Sequence, residues 1–141
     1  MTIEHDEILR LIPHRPPFLW IDRVEELDPG KHCVAVKLVD PGEAFFAGHF
    51  PARPILPGAL LIEAVAQTAG VMLGAATQNS GGVALLGAVN RFKFLKAVLP
   101  GQQLRIETRT LTSLGSMSCI SGTVTVDGET VATGELSVVA G

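Results

Sequence analysis

The chain of 141 residues contains no tyrosine, only two cysteines and few charged residues. Charged residues make up 18% of it and hydrophobic residues 47%, a balance that excludes an intrinsically disordered protein. The net charge of −3 provides no general attraction to nucleic acid, so we expect no nucleic-acid partner. Cys33 and Cys119 form no CxxC pair, and we expect two reduced thiols, no metal site and no cofactor.

Length and the N-terminal composition set the expected domain count and location. Residues 1–7 are acidic and lack the basic start and apolar run of a signal peptide, so the cytoplasm is the expected location. The length is that of one ordinary domain, and neither a long linker nor an internal repeat divides the chain. We therefore expect a single domain over residues 1–141.

Proline and glycine divide the chain into helices and strands. Pro13 ends a predicted helix over residues 4–12, because proline disfavours helical geometry in the residue before it. Asp127-Gly128 is a strong hairpin signal. The other predicted segments are a strand or packed loop at 18–24, a strand at 31–39, a proline-stiffened loop at 43–56, a loop at 78–82, and strands at 83–96, 102–113, 116–126 and 130–139.

One long helix is predicted over residues 58–76. Its residues are apolar or small almost all round, which is typical of a buried helix. A membrane span is the competing interpretation, but Glu63, Gln67 and Thr68 lie inside the segment and no basic residues flank it. One buried helix among several strands favours an α+β fold, in which an antiparallel sheet curls around the helix.

His49 and Glu63 are the candidate acid-base pair. Each also has an ordinary structural interpretation, His49 as a hydrogen-bonded loop histidine and Glu63 as a buried acid held by Gln67 or a neighbouring arginine. Together they are residue types that commonly transfer protons in enzymes. An unpaired backbone N–H at the helix start, at Gly58, can stabilise a carbonyl oxygen that becomes negative. This set suits removal of a proton next to a carbonyl, with loss of a β-hydroxyl group.

The sequence resembles the 3-hydroxyacyl-[acyl-carrier-protein] dehydratases of the FabZ type along nearly its whole length. The central and most specific match contains Gly48-His49-Phe50-Pro51, Pro54, Pro57-Gly58, Glu63-Ala64 and Ala66-Gln67. Two further segments are similar to the family, namely residues 11–24, with Pro13-His14-Arg15, and the basic, aromatic residues 92–101, which end in Val-Leu-Pro-Gly.

The resemblance implies a hotdog fold, a long central apolar helix wrapped by a curved antiparallel β-sheet. It also implies a homodimer with two active sites at the interface, and a trimer of dimers as the larger assembly. His49 and Glu63, from opposite subunits, would be catalytic, and Gly58 N–H would polarise the thioester carbonyl. Gln67 would orient Glu63. The implied residues of the substrate tunnel are Phe50, Pro57, Leu85 and Leu86.

The implied reaction is dehydration of a (3R)-3-hydroxyacyl thioester on acyl carrier protein to the trans-2-enoyl thioester. Glutamate instead of aspartate at position 63 favours dehydration without double-bond isomerisation. Arg91, Lys93 and Lys96 would contact the acidic carrier, although an ordinary solvated strand face is an equal alternative.

The chain departs from the family in lacking a tyrosine near Leu85 or Leu86, and in the interruption of its basic stretch by Leu95 and Ala97. The alternative functions are a hotdog acyl thioesterase and a non-catalytic acyl-thioester-binding subunit.

Overall fold

The computed structural model describes residues 2–77 and 84–140, which form one antiparallel sheet packed around one long helix. The helices are α1 (His5–Leu11), a 3-10 helix (Ala44–Gly48) and α2 (Gly58–Thr77), and the strands are β1 (Arg23–Asp28), β2 (His32–Leu38), β3 (Ala84–Phe94), β4 (Gln103–Leu114), β5 (Met117–Val126) and β6 (Glu129–Ala140).

The long helix α2 forms the centre of the fold. It contacts β2, β3, β4 and β5, and its fully buried residues include Ala64, Val65 and Met72. By length and composition alone α2 is apolar enough to cross a membrane. It packs instead against the sheet, and its apolar residues belong to the main hydrophobic core.

The six strands lie in the order β1-β2-β4-β5-β6-β3, and every neighbouring pair is antiparallel. Register shifts interrupt four of the five pairings, all except β2–β4. Such bulges bend strands and increase their twist, which lets a sheet curve around a helix. The predicted α+β architecture, an apolar helix wrapped by an antiparallel sheet, is confirmed.

The first strand differs from its prediction. It occupies Arg23–Asp28, whereas the sequence predicted a strand or packed loop at 18–24. The backbone of residues 18–20 bonds to a side chain instead of a strand, because Gln67 accepts from Trp20 N–H and donates to the Phe18 carbonyl. Residues 18–22 are therefore the packed loop, and the charged segment that follows is the strand.

Two other loops were predicted, at 43–56 and at 78–82. The proline-stiffened segment 43–56 contains the 3-10 helix Ala44–Gly48, which buries Phe46 and ends directly before His49. The predicted loop at 78–82, together with the first residue of the predicted strand 83–96, lies outside the described residues. The remaining predicted helices and strands agree with the structure to within one or two residues at each end.

Strand β3 forms one edge of the sheet and is exposed along most of its length. Its exposed apolar side chains include Leu85, Leu86 and Val89, with 58%, 46% and 40% of their surface accessible. An apolar edge strand with unpaired backbone groups is a template for pairing with another chain.

The opposite part of the sheet carries a network of charges on strands β2 and β4. His32 Nε2 lies 2.6 Å from Glu107 Oε2, and Arg109 Nη2 lies 3.2 Å from the same oxygen. The hydrogen bond from His32, assisted by the neighbouring arginines, holds the pKa of Glu107 below its usual value. This face is that of an ordinary solvated sheet.

Helix α1 lies close against α2 because glycines occupy the contact. A Cβ at Gly74 would lie 2.8 Å from the Leu11 carbonyl oxygen, and one at Gly70 would lie 3.1 Å from Ile12 Cγ2. The two glycines are four residues apart and therefore share one face of α2. They let the end of α1, and the segment that follows it, lie directly on the helix.

We expect Gly74→Ala to lower the free energy of unfolding by about 1–3 kcal/mol, because its methyl group overlaps backbone that has no flexible end to move. This loss exceeds the gain of roughly 0.5–1 kcal/mol that alanine brings to a helix. Gly70→Ala is the matched control, since its methyl group meets only the tip of Ile12, and it should change stability less. Urea denaturation measures both, and a Gly74→Ala protein as stable as the wild type contradicts the close packing.

Candidate active site

His49 follows the 3-10 helix and has a fixed ring orientation. Its Nδ1 lies 2.9 Å from the carbonyl oxygen of Ile55. Because a carbonyl only accepts hydrogen bonds, the ring hydrogen is on Nδ1, and Nε2 carries a free lone pair. The next residue, Phe50, has φ of 53°, a backbone conformation uncommon for a bulky residue and frequent at functional sites.

Gly58, the first residue of α2, lines the same cavity as His49. The N–H of Gly58, at the first position of the helix, has no acceptor within the helix and is available to a molecule in this cavity, whereas Leu60 N–H already bonds to the Pro57 carbonyl. A Cβ at Gly58 would meet the ring of Phe94 at 3.1–3.3 Å, so the close approach of Phe94 favours glycine at this position. The other lining residues are Ile55, Leu56, Leu61, Phe94, Leu95, Lys96, Ala97 and Val98.

Glu63 lies one turn and a half further along α2, in a different cavity. Its side chain is 21% exposed, so it is partly buried in the single chain and not fully buried as the sequence suggested. Gln67 Nε2 donates to its Oε2 at 2.8 Å. This cavity, of about 410 Å³, is lined mainly by apolar and small residues of α1, α2, β3, β4 and β5, including Leu86.

Gln67 is fully buried and makes three hydrogen bonds. Its Oε1 accepts from Trp20 N–H at 2.6 Å, and its Nε2 donates to the Phe18 carbonyl at 2.9 Å as well as to Glu63. The side chain thus joins the loop before β1 to the carboxyl group on α2. The predicted contact between Gln67 and Glu63 is present.

His14 is a neighbour of Glu63. In the sequence it stands out only as part of the family-like segment Pro13-His14-Arg15. Its Nε2 lies 3.5 Å from Glu63 Oε2, and its ring stacks on Phe18 at 13° with 6.2 Å between centroids. Nothing in the spacing of residues 14 and 63 indicates this contact. It results from the close packing of α1 on α2, which only the three-dimensional structure reveals.

The single chain does not bring the whole predicted site together. His49 and Gly58 line one cavity, whereas Glu63, Gln67 and Leu86 belong to the region of the other. Among the remaining predicted tunnel residues, Phe50 and Leu85 are largely exposed and Pro57 is partly buried at the start of α2.

The three basic residues assigned to carrier contact are all exposed, but they are not equivalent. Lys96 Nζ forms an ion pair with Glu129 at 2.5 Å. Arg91 and Lys93 lie on β3, where Arg91 has φ of 51° at a register shift in the pairing with β6. Within residues 2–77 and 84–140, neither forms an ion pair.

The described part of the chain offers no cluster of metal ligands, and burial makes one of its two thiols, Cys33, a poor nucleophile. No group of three or more His, Cys, Asp or Glu side chains there is placed to hold a metal ion. Burial raises the pKa of the Cys33 thiol to about 12, so this cysteine stays neutral and unreactive.

A long buried helix inside a curved antiparallel sheet places the chain in the class of hotdog-fold proteins. Within this class the chain belongs to the FabA-like family, whose domain matches residues 12–135. This match and the curated relatives described next together confirm the resemblance to FabZ-type dehydratases.

The chain is similar over nearly its full length to two curated relatives. It is 44% identical to the 3-hydroxyacyl-[acyl-carrier-protein] dehydratase FabZ of Geotalea uraniireducens, covering 93% of this chain and 92% of the relative. It is 46% identical to the FabZ of Roseiflexus castenholzii, covering 92% and 91%. Among solved structures, a chain of the dehydratase heterocomplex ApeI:P from Xenorhabdus doucetiae has a TM-score of 0.79 at 20% identity, covering 95% of this chain and 90% of that one.

We expect Gln67→Leu to lower the free energy of unfolding by about 2–4 kcal/mol, because it leaves the buried Trp20 N–H and the partly buried Phe18 carbonyl without partners. Thr68→Val is the matched control on the same helix. The Thr68 hydroxyl is buried and bonds only to the Ala64 carbonyl, an acceptor already used in helix hydrogen bonding, so its loss should cost less. Urea denaturation measures the free energy of unfolding of both proteins. Equal losses of stability would show that the hydrogen bonds of Gln67 do not hold the loop before β1 to α2.

Proposed function

We propose that the protein dehydrates (3R)-3-hydroxyacyl-[acyl-carrier-protein] to the trans-2-enoyl thioester in fatty acid or related acyl-chain biosynthesis, in the cytoplasm. The observation that supports this most directly is the hydrogen bond from His49 Nδ1–H to the Ile55 carbonyl. It leaves Nε2 as a base in the cavity where the Gly58 N–H begins helix α2. A base beside a carbonyl-polarising donor suits removal of the acidic C2 proton of a thioester.

The proposed reaction transfers two protons. His49 Nε2 takes the C2 proton while Gly58 N–H stabilises the negative charge on the thioester oxygen. The C2–H electron pair forms the C2=C3 double bond, and the C3–O bond breaks with its electrons moving to oxygen. Glu63 protonates that oxygen, and water leaves. Return of the proton from His49 to Glu63 closes the cycle.

We propose that Glu63 acts on the substrate bound by the His49 of a second copy of the chain. The two residues line separate cavities within one chain, so a single copy offers two half-sites. Strand β3 is an edge strand with exposed Leu85, Leu86 and Val89, which suits pairing with the same strand of a second copy. The further assembly of three dimers stays a prediction from the resemblance.

We expect His49→Ala and Glu63→Gln each to abolish most hydration of a trans-2-enoyl thioester, measured as loss of its absorbance, while both proteins stay folded. Removing a general acid or base typically costs about 10²–10⁴-fold in rate. Release of free thiol by the wild-type protein would instead identify a thioesterase, and tight binding of the ligand without turnover would identify a non-catalytic subunit.

Mixing the two inactive variants tests the shared site. After subunit exchange, a mixed dimer contains one site with neither change, because the intact His49 and the intact Glu63 come from different chains. Random exchange should therefore restore about a quarter of wild-type activity. If exchange is shown by mass spectrometry and no activity returns, each chain carries its own complete site. Two copies of the same variant provide the control, since their mixture contains no intact site.

The carrier protein is proposed to approach along β3, where Arg91 and Lys93 are exposed cations without ion-pair partners in the described residues. Lys96 contributes less, because Glu129 already neutralises its charge. Cations at the rim of an interface mainly accelerate encounter with an acidic partner and make it sensitive to salt.

We expect the double change Arg91→Glu and Lys93→Glu to raise KM for a carrier-bound enoyl substrate by about 3- to 10-fold, with loss of its salt dependence. The kinetics with a small enoyl thioester that lacks the carrier should not change. Lys96→Glu should have a smaller effect, and Lys31→Glu, an exposed lysine at the β1–β2 turn, should have none. An equal rise in KM for both substrates would mean that β3 does not contact the carrier.

A further inference from the structure

The carboxyl group of Glu63 has two different oxygens. Its Oε2 lies 2.8 Å from Gln67 Nε2 and 3.5 Å from His14 Nε2. Its Oε1 has no protein partner among the described residues. One oxygen therefore faces two nitrogens of the protein, and the other is left for a molecule in the cavity.

The environment of the His14 ring indicates which nitrogen carries its hydrogen. Nδ1 is buried and has no hydrogen-bond partner in the described chain, whereas Nε2 faces the Glu63 carboxyl. A hydrogen on Nδ1 would be a buried unpaired donor, which costs more than a buried lone pair. The neutral ring therefore carries its hydrogen on Nε2, the nitrogen that lies 3.5 Å from Oε2. The 3.5 Å separation is longer than a formed hydrogen bond, and contacts of this kind at active sites often tighten only when substrate is bound.

Several contacts fix the position of this ring. Arg15 donates to the carbonyls of Leu9, Ile12 and His14 at 2.7–3.0 Å, which holds the segment after α1 in a tight turn. Phe18 stacks on the ring, and its own carbonyl is held by Gln67. The side chain that binds Oε2 most closely thus also supports the aromatic partner of His14.

We propose that His14 is a positioning residue which, with Gln67, occupies Oε2 of Glu63, so that Oε1 is the oxygen that carries and donates the proton. The inference rests on the proposed dehydration. As Oε1–H transfers its proton to the departing hydroxyl oxygen, the O–H electron pair stays on the carboxylate. His14 and Gln67 then stabilise that charge through Oε2. His14 itself gains and loses no proton and does not contact the reacting atoms.

Three substitutions of His14 distinguish the effect of a hydrogen-bond donor at the position of Nε2 from the effect of the size of the ring. His14→Phe keeps an aromatic ring for stacking on Phe18 but has no donor. His14→Gln places an amide N–H at the reach of Nε2, and His14→Asn places one only at the reach of Nδ1. We expect His14→Phe and His14→Asn to lower kcat by about 10-fold with little change in KM, and His14→Gln to recover most of the loss.

The loss of kcat in His14→Phe must also depend on the carboxyl group of Glu63. In a Glu63→Gln protein, which retains only residual activity, His14→Phe should have no further effect, because no carboxylate forms there. An equal loss of kcat in both backgrounds overturns the proposal, as does failure of His14→Gln to recover activity. A change confined to KM also overturns it, since it would make His14 a wall of the cavity only.

Nitrogen-15 NMR of histidine-labelled protein tests the arrangement without turnover. The His14 signals are assigned by their absence from His14→Phe. We expect a pyrrole-type Nε2 and a pyridine-type Nδ1, with the Nε2 signal moving in Glu63→Gln. A hydrogen on Nδ1 overturns the proposal. His14 signals that do not change in Glu63→Gln also overturn it. A wild-type protein that shows this signature but no dehydration overturns the proposed function and leaves the arrangement of the carboxyl group established.

Discussion

The buried amide of Gln67 is the interaction on which the arrangement of the site depends. It has one acceptor and two donor hydrogens, and all of these are used by Trp20, Phe18 and Glu63. Because an amide buried without partners costs free energy, the loop before β1 cannot move away from α2 without leaving the side chain unsatisfied. The position of the carboxyl group and the path of the N-terminal loop are therefore set together.

The two halves of the site are held by different means. His49 follows a short 3-10 helix and is oriented by the backbone of its own loop, so its geometry depends on the prolines and the turn around it. Glu63 lies on a rigid helix and is oriented by side chains from elsewhere in the chain. Loops that are positioned by a rigid scaffold commonly carry functional groups. The proposed pairing with a second copy of the chain would bring the two halves together.

The parts of the fold with local signals could be predicted from sequence. The apolar run of α2 and the hairpin at Asp127-Gly128 have strong local signals, and Asp127 and Gly128 both adopt the positive φ that such a turn requires. The start of β1 could not be predicted, because a side chain on a distant helix occupies the backbone of residues 18–20. The same reason explains why the contact between His14 and Glu63 was missed: it depends on how closely two helices pack, which single-sequence periodicity does not record.

Strand β3 carries the residues of two proposed functions, subunit pairing and contact with the carrier protein. Its first half presents the apolar residues Leu85, Leu86 and Val89, and its second half presents the cations Arg91 and Lys93. The two halves belong to one continuous strand beside β6, and a register shift between Asn90 and Lys93 sets the direction in which the cations leave it. In the proposed assembly, a substitution in β3 that alters how the subunits associate would therefore also move the charges offered to the carrier, so the two interfaces would have to change together.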